Sequence, residues 1–277
     1  MNDTNADPEI GLFVNAGGVR TNFHDQGQGT PILLLHGSGP GVTAWANWRL
    51  NMPAFARSFR VIAPDLPGFG YTEWPAAIPL TLDAWTEHVR AFLDVLGVRR
   101  VHIIGNSFGG ALALRLAARH RDYVDRLVFM GSVGTSFPIT PGLEKVWGYE
   151  PSYENMRALL GFFAYDPSLV GEHVITSRLS ASMRAGAQEQ FAALFPAPRQ
   201  RWIEALATPE SEIAAIDAPA LVIHGRGDRV IPLAASERLY SLLPNADLHV
   251  FARCGHWTQI EHAKRFNEMV IAFLEAS

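Results

Sequence analysis

One serine stands in a setting that fits nucleophilic catalysis. Ser107 lies within residues 105–110, G-N-S-F-G-G, directly after the apolar run 101–104 and before an Ala- and Leu-rich segment. A G-x-S-x-G sequence between a strand and a helix predicts a sharp turn that exposes the serine hydroxyl at its tip. The flanking glycines let the strand and the helix approach without Cβ clashes. The alternative is a tight turn in which Ser107 only caps the helix.

Two later residues supply the base and the acid that a serine nucleophile needs. Asp228 follows the apolar run 221–223, and His256 follows the run 248–251. The order Ser, Asp, His along the chain is the one that accompanies a serine on a strand-to-helix turn. Residues 131–134, after the preceding strand, read G-S-V-G and offer no carboxylate. We therefore predict Asp228 as the acid that orients His256.

A glycine-rich loop follows the first apolar run. Residues 36–41 read H-G-S-G-P-G, and such a loop can direct backbone N–H groups at one point. We predict that the N–H groups of Ser38 and Phe108 form an oxyanion hole. A phosphate-binding loop is the competing interpretation, but no Gly-Lys-Ser/Thr follows. We expect His36 to be structural and not a second base.

Short apolar segments alternate with helical patterns along much of the chain. Their apolar character is continuous, which is typical of parallel strands buried on both faces. The pattern predicts an α/β fold with helices on both faces of a mostly parallel sheet. The predicted strands are residues 32–35, 61–63, 101–104, 127–130, 221–223 and 248–251, and the clearest helices are residues 82–96 and 111–120.

The alternation of strands and helices stops within residues 136–211. This segment holds several prolines and helical runs such as residues 153–163 and 172–182, without a convincing buried strand. We predict a helical cap here, inserted into a core domain formed by residues 1–135 and 212–277. The alternative is a second helical lobe that covers no site.

Composition narrows the function classes. The 277 residues carry a formal net charge of −4 without a long run of like charge, which argues against binding to nucleic acid or to an anionic membrane. A single cysteine, Cys254, excludes an internal disulfide and fits a reducing compartment. No signal-peptide pattern and no apolar run of about 20 residues is present, so we expect a cytoplasmic protein. The histidine spacings match no metal motif, so we expect no metal site.

Several motif blocks together resemble a known family. The chain resembles the α/β-hydrolase superfamily over essentially its whole length and, more narrowly, the meta-cleavage product hydrolases. These enzymes hydrolyse carbon–carbon bonds in the degradation of aromatic compounds. The resemblance implies the α/β-hydrolase fold with a helical cap insertion. The blocks that carry it are residues 36–41, 45–49, 65–70, 105–110, 195–200 and 254–257.

The resemblance also implies a reaction. The substrate would be a 2-hydroxy-6-oxo-hexa-2,4-dienoate made by ring-opening of a catechol, a small anionic dienoate. The dienol is first converted to a keto form, and its C6 carbonyl is then attacked, so that a short dienoate and a carboxylic acid leave. Members use no metal and no organic cofactor, and a homodimer is the family expectation.

By the same resemblance, Asn47, Asn106, Arg184 and Trp257 contact the carboxylate and the 2-oxo end of the substrate. An anion in a low-dielectric cleft needs a fixed cation, and arginine can hold a carboxylate through two parallel hydrogen bonds. Arg178 lies close to Arg184 in sequence and is not excluded. Structural roles are the alternatives: a solvated Arg184, an Asn47 that only bonds a loop, and a Trp257 that only packs.

Other functions share these residues. A general carboxylesterase would use the same triad, and a non-catalytic ligand receptor of the same fold can keep one. Epoxide hydrolases and haloalkane dehalogenases place a carboxylate where this chain has Ser107, which argues against both. Val133 and Val230 are predicted pocket walls, and their modest size favours hydrogen or a small alkyl group over phenyl at C6.

Overall fold

A twisted central sheet carries the residues of interest at the ends of its strands. The computed structural model describes residues 7–75, 78–79 and 81–276. Within these ranges the sheet has eight strands. The strands are β1 Leu12–Ala16, β2 Val19–Gln26, β3 Pro31–Leu35, β4 Arg60–Pro64, β5 Val101–Asn106, β6 Val124–Met130, β7 Ala220–Gly225 and β8 Ala246–Phe251.

The strand order is β1-β2-β4-β3-β5-β6-β7-β8. Strands β3 to β8 are parallel, whereas β1 and β2 pair antiparallel at one edge. The predicted mostly parallel α/β architecture is therefore confirmed. The sequence did not reveal β1 and β2, because these edge strands mix polar and apolar residues and give no continuous apolar run. The parallel strands bring their carboxyl ends to one edge of the sheet.

Helices cover both faces of the sheet. Within the described ranges, no helix is both long enough and apolar enough to cross a bilayer. Adjacent residues of β5 point to opposite faces, so Ile103 packs under α3 and α4 while Ile104 packs under α1, α2 and α13. The helices are α1 Ala44–Trp48, α2 Met52–Phe55, α3 Leu82–Val95, α4 Phe108–Arg119, α5 Pro141–Trp147, α6 Tyr153–Phe163, α7 Glu172–Ser182, α8 Ala187–Leu194, α9 Gln200–Leu206, α10 Glu210–Ile213, α11 Leu233–Leu242, α12 Thr258–Glu261 and α13 Ala263–Glu275.

The segment between β6 and β7 holds helices α5 to α10 and, in the part of the chain that the structure describes, no strand. Side-chain caps start two of these helices: Thr140 accepts the N–H of Leu143, and Ser152 accepts the N–H of Asn155. The buried aromatic side chains of this segment join the core of the sheet. Trp147 stacks on Phe195 with ring centroids 4.4 Å apart, and Phe195 meets Phe108 edge-on at 6.0 Å.

His36, at the carboxyl end of β3, is a buried neutral histidine. Its Nδ1 bonds the carbonyl of Gly37 at 2.7 Å, and its Nε2 accepts the N–H of Leu66 at 2.9 Å. Both ring nitrogens are thus engaged by the backbone, which fits the expected structural role. Burial lowers the pKa of His36 to about 4. Because the unfolded chain then binds more protons between pH 4 and 6.5, this residue makes the stability rise with pH over that window.

Lowering the pH from 7 to 5 should reduce the free energy of unfolding of the parent protein by about 2 kcal/mol more than that of His36→Gln. The reason is that folding lowers the pKa of the parent imidazole. Burial also raises the pKa of Asp65 to about 6, and this acts in the opposite direction in both proteins. Asp65 therefore cancels in the comparison. Urea unfolding at the two pH values measures the difference. An equal change in the free energy of unfolding with pH in parent and variant would contradict the role given to His36.

Candidate active site

Ser107 occupies a strained turn between β5 and α4. Its φ is 52° and its ψ is −114°, and among the described residues it is the one non-glycine residue with positive φ. Such a conformation costs about 1–3 kcal/mol and persists only where the surroundings impose it. Here the Ser107 N–H donates to the carbonyl of Met130 at 2.9 Å, and its carbonyl accepts from Val133 at 3.1 Å. The turn places Ser107 at the N-terminus of α4, where the helix dipole favours negative charge.

The glycines beside Ser107 are required by close packing. A Cβ at Gly105 would lie 2.6 Å from the carbonyl oxygen of Gly109, and a Cβ at Gly109 would lie 2.3 Å from the carbonyl oxygen of Leu35. Real Cβ contacts are longer than this, so any other residue would push α4 away from β5 and β3. The strand and the helix therefore meet as closely as the motif predicts.

Asp228 and His256 form a buried pair beyond the ends of β7 and β8. Nδ1 of His256 lies 2.7 Å from Oδ2 of Asp228, and Oδ1 of Asp228 accepts the N–H groups of Val230 and Ile231 at 2.7 and 3.0 Å. Burial alone would raise the pKa of Asp228, but the charge and hydrogen bond of His256 bring it below its usual value. An ionised carboxylate in this position fixes the imidazole so that its Nε2 is left for a substrate-side proton.

Ser107 and His256 line the same cavity, which has a volume of about 670 Å³. Within the part of the chain that the structure describes, the side chains of Ser107 and His256 are not hydrogen-bonded to each other. Such bonds are often long in the absence of substrate and tighten in the complex. The arrangement can therefore deliver a serine nucleophile, its base and the partner of that base to one bound molecule.

Gly131, at the end of β6, makes room for the acid–base pair. Its φ is +46°, and a Cβ at this position would lie 3.0 Å from Oδ2 of Asp228 and 3.1 Å from Nδ1 of His256. Sequence reasoning noted only that residues 131–134 lack a carboxylate. The available signal was a glycine directly at the end of a buried strand, where close approach is a common reason for glycine.

The two predicted oxyanion donors belong to the loop after β3 and to the start of α4. Ser38 lines the cavity, and Phe108 is the first residue of α4, so its N–H has no partner within the helix. The hydroxyl of Ser38 accepts the indole N–H of Trp147 at 2.9 Å. Trp147, in α5, thus ties the helical segment to the loop that follows β3. Sequence reasoning missed Trp147, since a hydrogen bond across 109 residues leaves no local signal.

The residues predicted to hold the polar end of a substrate all line the cavity: Asn47, Asn106, Arg184 and Trp257. Asn47 is buried, and its Nδ2 has no hydrogen-bond partner among the described residues. Asn106 donates to the carbonyl of Met130 at a long 3.4 Å. A buried amide without a partner is costly unless a ligand or water completes it, so Asn47 is suited to a polar ligand.

The two candidate arginines differ in their partners. Arg178 forms a 2.6 Å ion pair with Glu9 and also donates to the carbonyl of Gly41. Arg184 lies 4.0 Å over the ring of Tyr71 and donates only to backbone carbonyls. Within residues 7–75, 78–79 and 81–276, Arg184 has no carboxylate within salt-bridge distance. Arg184 is therefore less engaged than Arg178, although its charge also acts on Asp7 in the same cavity lining.

Arg49 is a further cation of the cavity wall that sequence reasoning did not single out as a site residue. It follows α1, and its Nη1 donates to the carbonyl of Ala46 at 2.6 Å. Burial and the neighbouring Arg178 lower the pKa of Arg49. Three arginines therefore line the cavity, and the carboxylates of Asp7 and Glu9 in the same lining offset part of their charge.

Part of the cavity lining is apolar. Val230 belongs to it, as predicted, whereas Val133 is not among the residues that line the cavity. Val133 instead packs into the main core at 1% exposure, because its backbone is bonded to Ser107 beside the turn. The apolar wall is completed by Leu143, Val146, Met156, Leu159, Leu160 and Phe163.

Cys254 lies outside the cavity lining and is fully buried. Burial raises the pKa of its thiol, so the thiolate needed for nucleophilic attack is suppressed. No group of three or more metal-ligating side chains occurs among the residues that the structure describes. The reactive groups of the cavity are therefore those around Ser107.

Comparison with known proteins also indicates a hydrolase. Residues 30–263 match the family model of the alpha/beta hydrolase fold. The chain is 55% identical over 274 residues to 2-hydroxymuconate semialdehyde hydrolase of Pseudomonas sp. strain CF600, covering 99% of this chain and 97% of that protein. It is 54% identical to 2-hydroxy-6-oxo-2,4-heptadienoate hydrolase of a Pseudomonas putida strain, with 99% of each chain covered.

A solved structure is also similar. A mutant of the meta-cleavage product hydrolase CumD from Pseudomonas fluorescens IP01, complexed with acetates, superposes with a TM-score of 0.96 at 51% identity, and 97% of this chain and 98% of that one are covered. Fold and site together define an α/β hydrolase. Within that class the chain belongs to the meta-cleavage product hydrolases, serine hydrolases that act on carbon–carbon bonds. The resemblance seen in the motif blocks is thereby confirmed.

We expect Gly131→Ala to lower kcat about 10- to 100-fold, because its Cβ would press on Asp228 and His256 and displace the base. Steady-state kinetics on the variant measures the loss. Gly161→Ala is the matched control, since a Cβ at Gly161 in α6 meets nothing within 4 Å. Unchanged turnover in Gly131→Ala would show that the close approach is not needed for catalysis.

Proposed function

We propose that this protein hydrolyses the C5–C6 bond of 2-hydroxy-6-oxo-hexa-2,4-dienoate-type ring-fission products with a small C6 substituent. The observation that carries the proposal is the polarity of the cavity around Ser107. Its lining combines Arg184, which forms no salt bridge within the described residues, and the asparagines 47 and 106 with an apolar wall. A dienoate with a carboxylate at one end and a ketone or aldehyde near the other matches this arrangement.

In the proposed mechanism His256 takes the proton of the Ser107 hydroxyl as the serine oxygen adds to the C6 carbonyl of the keto form. The N–H groups of Ser38 and Phe108 stabilise the oxyanion, an interaction worth about 3 kcal/mol per donor in other hydrolases. The C5–C6 bond then breaks, and its electron pair moves through the C3–C4 double bond onto the 2-oxo oxygen. That oxygen takes up the proton of imidazolium His256, which gives the short 2-hydroxy-dienoate. Water hydrolyses the acyl-enzyme with His256 as base, which releases a carboxylic acid and returns Ser107.

The polar end of the cavity would hold the carboxylate and the 2-oxo group. Arg184 is the proposed carboxylate partner, because Arg178 is already engaged with Glu9 at 2.6 Å. Asn47, with its unpaired Nδ2, and Asn106 would bind the oxygen substituents at C1 and C2. Trp257 stacks on Phe163 at 5.1 Å and would form a flat wall for the conjugated chain.

The C6 substituent would sit against the apolar wall that includes Val230. The relatives are named for a semialdehyde and for a 6-oxo-heptadienoate. These compounds carry hydrogen and methyl on the carbonyl carbon, which supports a small substituent here. Leu143, Val146 and Met156, which are buried and line the cavity, are the side chains that the C6 substituent would contact.

We further propose that residues 136–211 act as a cap over the core domain formed by residues 1–135 and 212–277. The aromatic contacts of Trp147 and Phe163 with the site support this division. The family resemblance supports a homodimer and a reaction without metal or organic cofactor. The unpaired Cys254 is compatible with the cytoplasm.

Bleaching of the yellow dienolate of 2-hydroxy-6-oxo-hepta-2,4-dienoate tests the reaction. We expect the parent protein to bleach it much faster than it hydrolyses p-nitrophenyl acetate, and to prefer methyl over phenyl at C6. Ser107→Ala should lose turnover by several orders of magnitude, since the nucleophile is removed, yet should still bind the dienoate.

Two outcomes would redirect this proposal. Good ester turnover without bleaching would identify a carboxylesterase that uses the same triad. Absence of turnover with either substrate, together with tight dienoate binding by the parent, would indicate a ligand receptor.

We expect Arg184→Gln to raise KM for the dienoate about 10- to 100-fold, because a charged hydrogen-bonding pair contributes about 1.5–3 kcal/mol. Turnover of p-nitrophenyl acetate, which has no carboxylate, should stay within about twofold on the same argument. Arg157→Gln, an exposed arginine in α6, is the matched control. If Arg178→Gln raised KM and Arg184→Gln did not, the assignment of the carboxylate partner would be reversed.

A further inference from the structure

One acidic side chain joins the loop that carries His256 to the end of helix α6. Glu261 is the last residue of α12, five residues after His256. Its Oε1 accepts the N–H of Gly255 at 2.6 Å, and its Oε2 accepts the N–H groups of Tyr165 and Asp166 at 2.9 and 3.1 Å. A single carboxylate therefore satisfies three backbone donors from two distant parts of the chain.

The first of these bonds closes the loop that contains the catalytic base. Gly255 precedes His256, so the hydrogen bond from its N–H to Glu261 spans the base and the adjacent Trp257. The loop cannot open without losing a charge-assisted hydrogen bond, and such bonds are about twice as strong as neutral ones. The backbone at His256 is thereby fixed by a contact separate from the one with Asp228.

The other two bonds fix the segment that follows α6. Phe163, the last residue of α6, contacts the base in two ways: its carbonyl accepts the N–H of His256 at 2.7 Å, and its ring stacks on the imidazole at 5.7 Å. Tyr165 and Asp166 follow two and three residues later in the chain. Glu261 therefore holds the base and the α6 end that packs on it in one fixed arrangement.

The junction leaves no room for adjustment. A Cβ at Gly255 would lie 2.4 Å from the carbonyl oxygen of Phe163 and 2.8 Å from the nitrogen of Tyr165. The two segments are thus in backbone-to-backbone contact, and the carboxylate of Glu261 is the group that neutralises the N–H donors concentrated there. Without it, three donors would face one another across the junction.

We propose that Glu261 is a positioning residue for catalysis: its carboxylate clamps the His256 loop to the end of α6, so that the base keeps its orientation toward Ser107. This inference rests on the proposed function, in which His256 is the base. Glu261 does not line the cavity, so its removal should impair the chemical step more than substrate binding.

Glu261→Gln is the discriminating substitution. Glutamine keeps the size of the side chain but offers one acceptor oxygen, and its NH₂ group would meet backbone donors on the other side. We expect kcat to fall about 10- to 100-fold, as for other small displacements of a reacting group. The rate at which a fluorophosphonate labels Ser107 should fall to a similar extent, because labelling also needs His256. Glu268→Gln on α13, whose side chain is 64% exposed, is the matched control and should change neither rate.

The dienoate affinity separates positioning from general structural damage. In a Ser107→Ala background, Glu261→Gln should weaken dienoate binding far less than it lowers kcat, because Arg184 and Asn47 lie outside the clamped loop while Trp257 lies within it. Gly255→Ala, which disturbs the same junction from the other side, should reproduce the loss of kcat if Glu261→Gln folds too poorly to assay.

Failure of the Glu261 clamp and failure of the proposed function give different experimental results. Unchanged labelling and kcat in Glu261→Gln, or a parallel loss of dienoate affinity, would overturn the clamp and leave the proposed function standing. A parent protein that neither bleaches the dienoate nor reacts with the fluorophosphonate would overturn the triad, and the clamp would fall with it.

Discussion

The hydrogen bond between His256 and Asp228 imposes the most demanding constraint on this structure, because it requires a carboxylate at 1% side-chain exposure to stay ionised. A buried charge is tolerated only when its oxygens are satisfied. Here the N–H groups of Val230 and Ile231 complete one oxygen and the imidazole completes the other. The tight turn after β7 and the glycine at the end of β6 both follow from that requirement, since the first supplies the donors and the second supplies the space.

The parallel sheet meets this constraint with little additional structure. Ser107, Asp228 and His256 follow three different strands, yet their strands end at one edge of the sheet. Each residue is then held by short-range geometry: the turn at Ser107 by contacts between Gly105 and α4, and the base by the loop that Glu261 closes. The long-range problem of bringing the three together is solved by the strand order, and the local problem of aiming them is solved by backbone hydrogen bonds.

The part of the site that the sequence predicted was the part with local signals. Ser107 was recognisable because strand, turn and helix follow one another within a dozen residues, and Asp228 and His256 because they follow apolar strands in the expected order. The choice between Arg178 and Arg184 was not readable, since it depends on Glu9, which is 169 residues away from Arg178. Strands β1 and β2 were missed for a related reason: an edge strand owes its position to its partner and not to an apolar run of its own.

The helices between β6 and β7 contact the site at two points. Trp147 bonds the hydroxyl of Ser38, and Phe163 packs on His256, so one segment supports both the proposed oxyanion donor and the base. The same segment provides Arg184 and most of the apolar wall. A change in these helices that altered substrate preference would therefore also move the catalytic groups. This coupling gives a physical reason why hydrolases that share a triad differ in reaction: the helices that choose the substrate also complete the geometry of the chemistry.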